Sequence, residues 1–164
     1  MKVHHFTKEK KQRQYLMLDK KFYLKQGPII RDKYRKHIFE KAKDVFDNTF
    51  KGYSQEYGEQ KRANKFKRQM SKYANSTAPV LTGDLLRDYS LIKTSNNGFQ
   101  IGWSTFGLVV KSLKKQGRVL TDPIQPLPKG VMNYLSLKAH KYIGKKSDDI
   151  IGSKKSKTHR VGKK

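Results

Sequence analysis

The feature that most limits what this chain can fold into is its excess of positive charge. The chain contains 38 Lys and Arg residues against 13 Asp and Glu residues, for a formal net charge of +25. A compact fold at this charge repels itself unless a partner neutralises it. Nucleic acid is the commonest such partner, because phosphate contacts release condensed counterions. An anionic membrane or an acidic protein surface would also serve, and a solvated basic surface without a dedicated partner is the remaining alternative.

The size and composition predict one domain with a modest core. The chain has 164 residues, of which 35% are hydrophobic and none is cysteine, so disulfides and thiolate zinc sites are excluded. The segment Met1 to Lys11 is charged and has no apolar centre, which predicts no secretory signal. No apolar stretch approaches the length of a membrane span. We therefore expect synthesis in the cytoplasm and no membrane contact.

Apolar spacing predicts three helices in the first half of the chain. The first runs from Thr7 to Gln26 and ends at Gly27 and Pro28, which favour a helix stop. Its narrow apolar stripe suggests an arm that packs on a neighbour. The second covers Arg31 to Phe50, with one face formed by Ile38, Ala42, Val45 and Phe46, and a polar break follows from Asn48 to Gly58. The third covers Gln60 to Ala74, with a stripe of Ala63, Phe66, Met70 and Tyr73.

The strongest local signal is a β-hairpin. Tyr89 to Thr94 and Phe99 to Ser104 are predicted strands, and Asn96-Asn97-Gly98 between them suits a tight turn. Phe99, Ile101 and Trp103 alternate with polar or small residues, so one face should be buried. A short helix is predicted to begin near Thr82, which can cap it.

The second half predicts fewer elements. Residues Leu108 to Leu113 could be a strand or a short helix, and the prolines at 123, 126 and 128 predict a stiff connector. A last helix is predicted from Lys129 to Ile143, with Met132, Leu135, Ala139 and Tyr142 on one face. From Gly144 the chain is rich in Lys, Ser and Gly, which predicts disorder.

These elements predict an α+β fold, with long helices on a small antiparallel sheet that contains the hairpin, and with extended basic termini. The predicted organisation is a basic helical arm at residues 1–30, an α+β core domain at residues 31–143 and a disordered basic tail at residues 144–164.

Catalytic and metal-binding patterns are absent from the sequence. Asp148 and Asp149 lie in the predicted tail, where no pocket could form around them. The His4-His5 pair lacks a third ligand nearby, and the remaining histidines are scattered. No phosphate-binding loop, dinucleotide motif or nucleophile elbow occurs. We therefore predict no catalytic residues, no metal, no cofactor and no enzymatic activity.

Basic residues near both ends are the candidate polyanion-binding groups. Contacts from such residues to phosphates carry no sequence information. Tyr15, Phe22 and Tyr23 could stack on bases, although helix packing is the more ordinary role. The candidates for nucleic-acid binding are Lys10, Lys11, Arg13, Lys20, Lys21, Lys154, Lys155, Lys157 and Arg160.

The segment from Ala78 to Leu91 carries a resemblance to a known group. It reads Ala-Pro-Val-Leu-Thr-Gly-Asp-Leu-Leu-Arg-Asp-Tyr-Ser-Leu. It resembles the tail-completion and virion-morphogenesis families of long-tailed phages, of the HK97 and Mu types, whose pattern is a Pro, then Thr-Gly-x-Leu, then a Ser or an aromatic residue. The positions that match are Pro79, Thr82, Gly83, Leu85 or Leu86, and Ser90.

The likeness covers residues 38–143. Its context also matches, because the predicted helix Gln60 to Ala74 precedes the motif and the predicted hairpin follows it. The likeness departs at the strand after the hairpin, where Val109-Val110 and Gly117 match only partly.

The resemblance implies a structural virion protein. Its expected place is the neck, head–tail connector or tail-completion complex, as a homo-oligomeric ring around the DNA channel. Its expected partners are portal, adaptor or tail proteins and double-stranded DNA. The motif/assembly candidates are Pro79, Thr82, Gly83, Leu85, Leu86 and Trp103. The alternative hypothesis is a non-specific nucleic-acid-binding protein, ribosome-associated or DNA-packaging-like.

Overall fold

The computed structural model describes the backbone of residues 17–158 and the side chains of residues 17–149. Within this range the fold is α+β, as predicted. The elements are α1 (Lys20–Arg35), a π-helical turn (Lys36–Glu40), α2 (Gln55–Arg62), a 3₁₀ turn (Ser71–Tyr73), α3 (Asp84–Asp88), β1 (Tyr89–Thr94), β2 (Phe99–Trp103), α4 (Gly107–Lys115) and α5 (Lys129–Thr158).

The first described helix differs from the prediction. Asp19 caps α1, because its carboxylate accepts a hydrogen bond from the Phe22 backbone N–H at 3.1 Å. The predicted stop at Gly27 and Pro28 is wrong, since both residues lie inside α1. The predicted boundary between residues 30 and 31 is therefore wrong as well, because it cuts through this helix. The part of the predicted arm before residue 17 lies outside the described residues.

Packing explains why α1 continues through a glycine and a proline. Together these residues disfavour a helix interior by about 4 kcal/mol. Beyond them, Ile30, Tyr34 and Ile38 are almost completely buried, and each such side chain contributes about 1.5–3 kcal/mol. Gly27 also permits a close approach, because a Cβ there would lie 3.2 Å from Leu91 Cδ1 on β1.

The predicted helix Arg31 to Phe50 is wrong beyond Glu40. The Asp44 carboxylate accepts hydrogen bonds from the Phe46 and Asn48 backbone N–H groups at 2.9 and 2.8 Å, so it holds a tight loop instead of a helix. Ala42, with φ 53°, lies in the left-handed region. Val45 remains in the core and donates its N–H to the Val119 carbonyl at 3.1 Å, whereas the Phe46 side chain is exposed.

The predicted helix Gln60 to Ala74 is also wrong. The helix in this region, α2, begins earlier and ends at Arg62, and the chain then turns at Asn64 and Arg68, whose φ values are 56° and 60°. The apolar residues of the predicted stripe pack separately. Phe66 lies against the Tyr57 ring, with centroids 5.0 Å apart, and Tyr73 enters the core from the 3₁₀ turn.

The hairpin confirms its prediction. Strands β1 and β2 pair antiparallel, with Tyr89 opposite Trp103 and Thr94 opposite Phe99, and with an irregularity between Leu91 and Lys93. The Ser95 N–H bonds to the Gly98 carbonyl at 2.8 Å across the turn. Helix α1 packs across both strands, and the apolar residues on the side that alternation predicted are partly buried against the core.

The last two helices, α4 and α5, bear on two predictions: the choice between strand and helix at Leu108 to Leu113, and the end of the last helix. Residues Leu108 to Leu113 are helical within α4. Helix α5 begins at Lys129, as predicted, but it continues to Thr158. The prediction of a disordered tail from Gly144 is therefore wrong for residues 144–158. The packing of α5 against α1 and the contacts of Tyr142 and Lys146 with Asp19 support the helix just beyond its predicted end at Ile143. Residues 159–164 lie outside the described range.

Candidate functional site

The residues of the Thr-Gly motif form a tight turn ahead of α3. Gly83 has φ 82° and is the N-cap residue, and a Cβ there would collide with Met70 Sδ. This bears out the inference that a side chain at Gly83 would be blocked. The proposed capping by Thr82 is wrong, because its hydroxyl donates to the Asp84 carboxylate. The Asp84 carboxylate also pairs with Arg87.

The other motif candidates pack on both sides of α3. Leu85 and Leu86 are both buried, and the Trp103 indole N–H donates to the Leu85 carbonyl at 2.9 Å. The Trp103 ring lies 4.7 Å from the Tyr89 ring. The motif therefore joins α3 to the hairpin, which gives it a structural role whatever else it does.

A cavity of about 560 Å³ lies beside the motif turn. Pro79, Thr82, Gly83 and Leu85 all line it, whereas Leu86 and Trp103 do not. Its other walls include Tyr53 before α2, Tyr57 on α2, and Phe106 and Arg118 just before and after α4. The structure thus brings four of the six motif candidates to one concave site, with residues that the sequence did not single out.

Two buried cations share the ring of Tyr53, which lines this cavity; Arg118 also lines the cavity, whereas Lys61 does not. Lys61 and Arg118 are 1% and 5% exposed. The Lys61 ammonium lies 4.5 Å from the Tyr53 ring centroid, and the Arg118 guanidinium carbon lies 4.4 Å from it. Lys61 donates to the Ser76 carbonyl at 2.7 Å, and Arg118 donates to the Lys51 carbonyl at 2.8 Å.

Burial changes the acid–base behaviour of this cluster. Desolvation, with the Arg118 charge as a second cause, lowers the pKa of Lys61 to about 8. Desolvation raises the pKa of Tyr53. Among the described residues, no carboxylate lies within 4.0 Å of Lys61 or Arg118.

A second site joins the two ends of the described chain. Lys146 on α5 lies 2.7 Å from the Asp19 carboxylate and donates to the Met17 carbonyl at 3.2 Å. The Tyr142 hydroxyl donates to Asp19 at 2.9 Å, and its ring lies 5.2 Å from that of Phe22. The hydrogen bond from Lys146, supported by those from Phe22 and Tyr142, lowers the pKa of Asp19 to about 2.

This contact brings basic segments from both ends of the chain together. Lys20 and Lys21 follow Asp19 on α1, and Lys141 and Lys145 flank Tyr142 and Lys146 on α5. All four are exposed and are next in sequence to residues of this contact, and we call Lys20, Lys21, Lys141 and Lys145 the basic end.

The remaining basic candidates are not described in the same detail. Lys154, Lys155 and Lys157 lie on the helical backbone of α5, and Lys10, Lys11, Arg13 and Arg160 lie outside the described residues. The sequence reasoning placed Lys145 among the basic residues of the predicted tail and did not single out Lys141, because the helix was predicted to end between them.

The sequence predicts neither a metal site nor a membrane-spanning segment. Among the described residues, no three His, Cys, Asp or Glu side chains form a group that could hold a metal ion. None of their helices is long and apolar enough to cross a membrane. The absence of enzymatic activity stays a prediction.

Comparisons of the chain with protein-family models, with curated proteins and with solved structures found no match.

Proposed function

We propose that this protein is a non-enzymatic structural subunit that binds a polyanion through its basic end. The assembly we propose is a phage virion, where the subunit forms a ring around the DNA channel at the neck, head–tail connector or tail-completion complex. Double-stranded DNA is then the polyanion, and portal, adaptor or tail proteins are the neighbours.

The observation that carries the polyanion proposal is the contact of Asp19 with Lys146 and Tyr142. It holds the basic segments of two helices side by side. Lys20 and Lys21 lie in the first turn of α1, where positive charge opposes the helix dipole. Helix stability therefore does not account for these lysines, whereas phosphate contacts do.

The virion proposal rests on the Thr-Gly motif and on the elements after it in the chain. The motif turn, α3 and the hairpin succeed one another in the order that the resemblance implies. The helix expected just before the motif is replaced by short turns, so that part of the resemblance lends no support.

Recovery of the protein in mature particles tests the virion proposal directly. We expect the purified full chain to form closed rings in native mass spectrometry and negative-stain images, and antibodies to label the neck of particles. A chain that stays monomeric at high concentration and is absent from particles contradicts the proposal.

Charge reversal tests the basic end. We expect Lys20→Glu, Lys21→Glu, Lys141→Glu and Lys145→Glu together to weaken binding of a DNA duplex about tenfold or more, with a smaller salt slope. The matched control reverses four exposed lysines elsewhere, namely Lys65, Lys67, Lys111 and Lys115. Equal losses in both variants would show that only total charge matters.

The alternative function is a non-specific nucleic-acid-binding protein that works without a ring, and the same basic end favours it. Titration of DNA and RNA at two salt concentrations separates the proposals. A lone subunit of a ring should bind weakly, whereas a dedicated binding protein should bind tightly with a steep salt dependence.

A further inference from the structure

The cavity beside the motif turn has the size of a binding site and is distinct from the basic end. Its volume of about 560 Å³ lies within the range of pockets that take small ligands or anchoring side chains. Val80, Leu85 and Leu113 supply apolar wall, and Arg118 supplies the buried charge.

Arg118 lacks the counter-ion that a buried guanidinium normally has. It is 5% exposed, and its Nε has no hydrogen-bond partner. Its remaining contacts, with the Tyr53 ring and the Lys51 carbonyl, leave its charge unneutralised. Lys61 on the same ring adds a second positive charge. An anionic group in the cavity would therefore be stabilised by the Arg118 charge that lines it, with Lys61 as a further cation behind the Tyr53 ring.

The walls favour an anion that carries an apolar group over a nucleic acid. The Tyr53 ring already interacts with two cations, and the Tyr57 ring is packed between those of Tyr53 and Phe66. Neither ring therefore offers a free face for base stacking. A phosphodiester chain is strongly hydrated and would lose water on contact with the apolar walls. Only one cation, Arg118, lines the cavity to offset this desolvation cost.

The rim indicates that the ligand extends outside the cavity. Val109 lines the cavity and is 42% exposed, and the preceding residue on α4, Leu108, is 78% exposed. Exposed apolar side chains beside a cavity are typical of surfaces that bind another protein.

We propose that this cavity binds an acidic, hydrophobic peptide segment of a partner protein. A carboxylate of the segment pairs with Arg118, and a neighbouring aliphatic or aromatic side chain packs against Val80, Leu85 and Leu113. The rim at Val109 contacts the next residue of the segment. The charge of the whole chain, +25, attracts such a segment from a distance.

The test uses the full-length protein and a blocked tripeptide of leucine, glutamate and phenylalanine, with a matched tripeptide that has glutamine in place of glutamate. Calorimetry measures affinity, and backbone amide shifts in nuclear magnetic resonance show the site. We expect shifts around Tyr53, Phe106 and Val109, and binding about tenfold weaker for the glutamine peptide, which is about 1.4 kcal/mol.

Variants separate the cavity from general attraction to lysines. Val109→Asp should weaken binding of the glutamate peptide about tenfold. The control Leu137→Asp, at an exposed leucine of α5, should leave that affinity unchanged. Arg118→Met should remove the preference for glutamate. If that variant does not fold, Val109→Asp and the glutamine peptide still decide the matter.

Three results with the peptides alone would overturn the proposal. They are no binding up to about 1 mM peptide, equal binding of the two peptides, and shifts confined to the basic end. A short DNA oligonucleotide is the competing probe, and shifts at the cavity with DNA but not with the peptide would also overturn it. Val109→Asp should leave DNA binding unchanged, so failure here is distinguishable from failure of the basic end.

Discussion

Two groups of lysine and arginine in this molecule have opposite surroundings. Lys61 and Arg118 are buried around Tyr53, are held by backbone carbonyls, and have no carboxylate within 4.0 Å among the described residues. Lys20, Lys21, Lys141 and Lys145 form an exposed surface next to Asp19. The cations of the interior are few and fixed in place, whereas those of the basic end are in water.

The difference shows how environment sets the use of a charge. In the interior, desolvation lowers the pKa of Lys61 to about 8, so each protonated cation destabilises its neighbour and favours an anionic ligand. At the surface, water screens the lysines from one another, and their sum attracts a polyanion at long range. Variants and pH can test this contrast, from the largest expected effect to the smallest.

Removal of the buried lysine should have the largest effect. We expect Lys61→Ala to lower the free energy of unfolding by about 2–4 kcal/mol, because it leaves a cavity and an unpaired Ser76 carbonyl. Lys146→Ala, at the edge of the basic end, should cost about 1 kcal/mol or less. Urea denaturation measures both, and similar losses would contradict the contrast between the two groups.

The turn that lines the cavity should be the next most sensitive position. Gly83→Ala should destabilise the fold by about 2–3 kcal/mol, because it combines a positive φ with a collision at Met70. The matched control is Gly117→Ala, which has φ 76° but open space around its Cβ, and about 1 kcal/mol is expected. Thermal unfolding of both variants separates collision from backbone strain.

The lowered pKa of Lys61 predicts a dependence on pH. Between pH 8 and its usual value of 10.5, the folded chain holds fewer protons at this residue than the unfolded chain. The contribution of Lys61 to stability therefore rises as the pH rises through this range. We expect the stability of the wild type relative to Lys61→Met to increase over the range, as measured by urea denaturation. A constant difference would show that Lys61 titrates normally.

The contact between the chain ends should give the smallest effect. The lowered pKa of Asp19 means that its stabilisation is present above about pH 4 and is lost as the pH falls towards 2. Asp19→Asn should increase hydrogen exchange near the end of α5 at neutral pH, with little change in global stability. Asp32→Asn, on the exposed face of α1, is the control, and equal exchange in both variants would show that Asp19 does not hold α5.

Elements of this fold that depend on neighbouring residues were predictable from the sequence, whereas those that depend on contacts between distant residues were not. The hairpin was predictable because apolar and polar residues alternate in its second strand and turn-forming residues precede that strand. The turn itself differs from the expectation, since none of Asn96, Asn97 and Gly98 has the positive φ that their residue types favour. Helix α5 began directly after Pro128, as predicted. The limits of α1 were not predictable, because distant contacts of Ile30 and Tyr34 outweigh the local preference of Gly27 and Pro28.

Apolar residues from Ala63 to Tyr73 recur at the spacing of a helix, but this segment does not form one helix. Turns at Asn64 and Arg68 send its apolar side chains to separate partners. The candidate sites show the same limit, since Tyr53, Lys61 and Arg118 come from distant segments and carry no shared motif.

The sequence by itself determined the excess of positive charge, the hairpin and the need for glycine at the motif turn, because each depends on composition or on a few adjacent residues. Only the tertiary structure decided the surroundings of each charge. Lys61 and Lys145 are indistinguishable as letters, yet one is buried against Tyr53 and the other is exposed beside α1. The physical reason is that burial depends on contacts between segments far apart in the chain, and burial sets whether a cation is held inside the fold or offered to a partner.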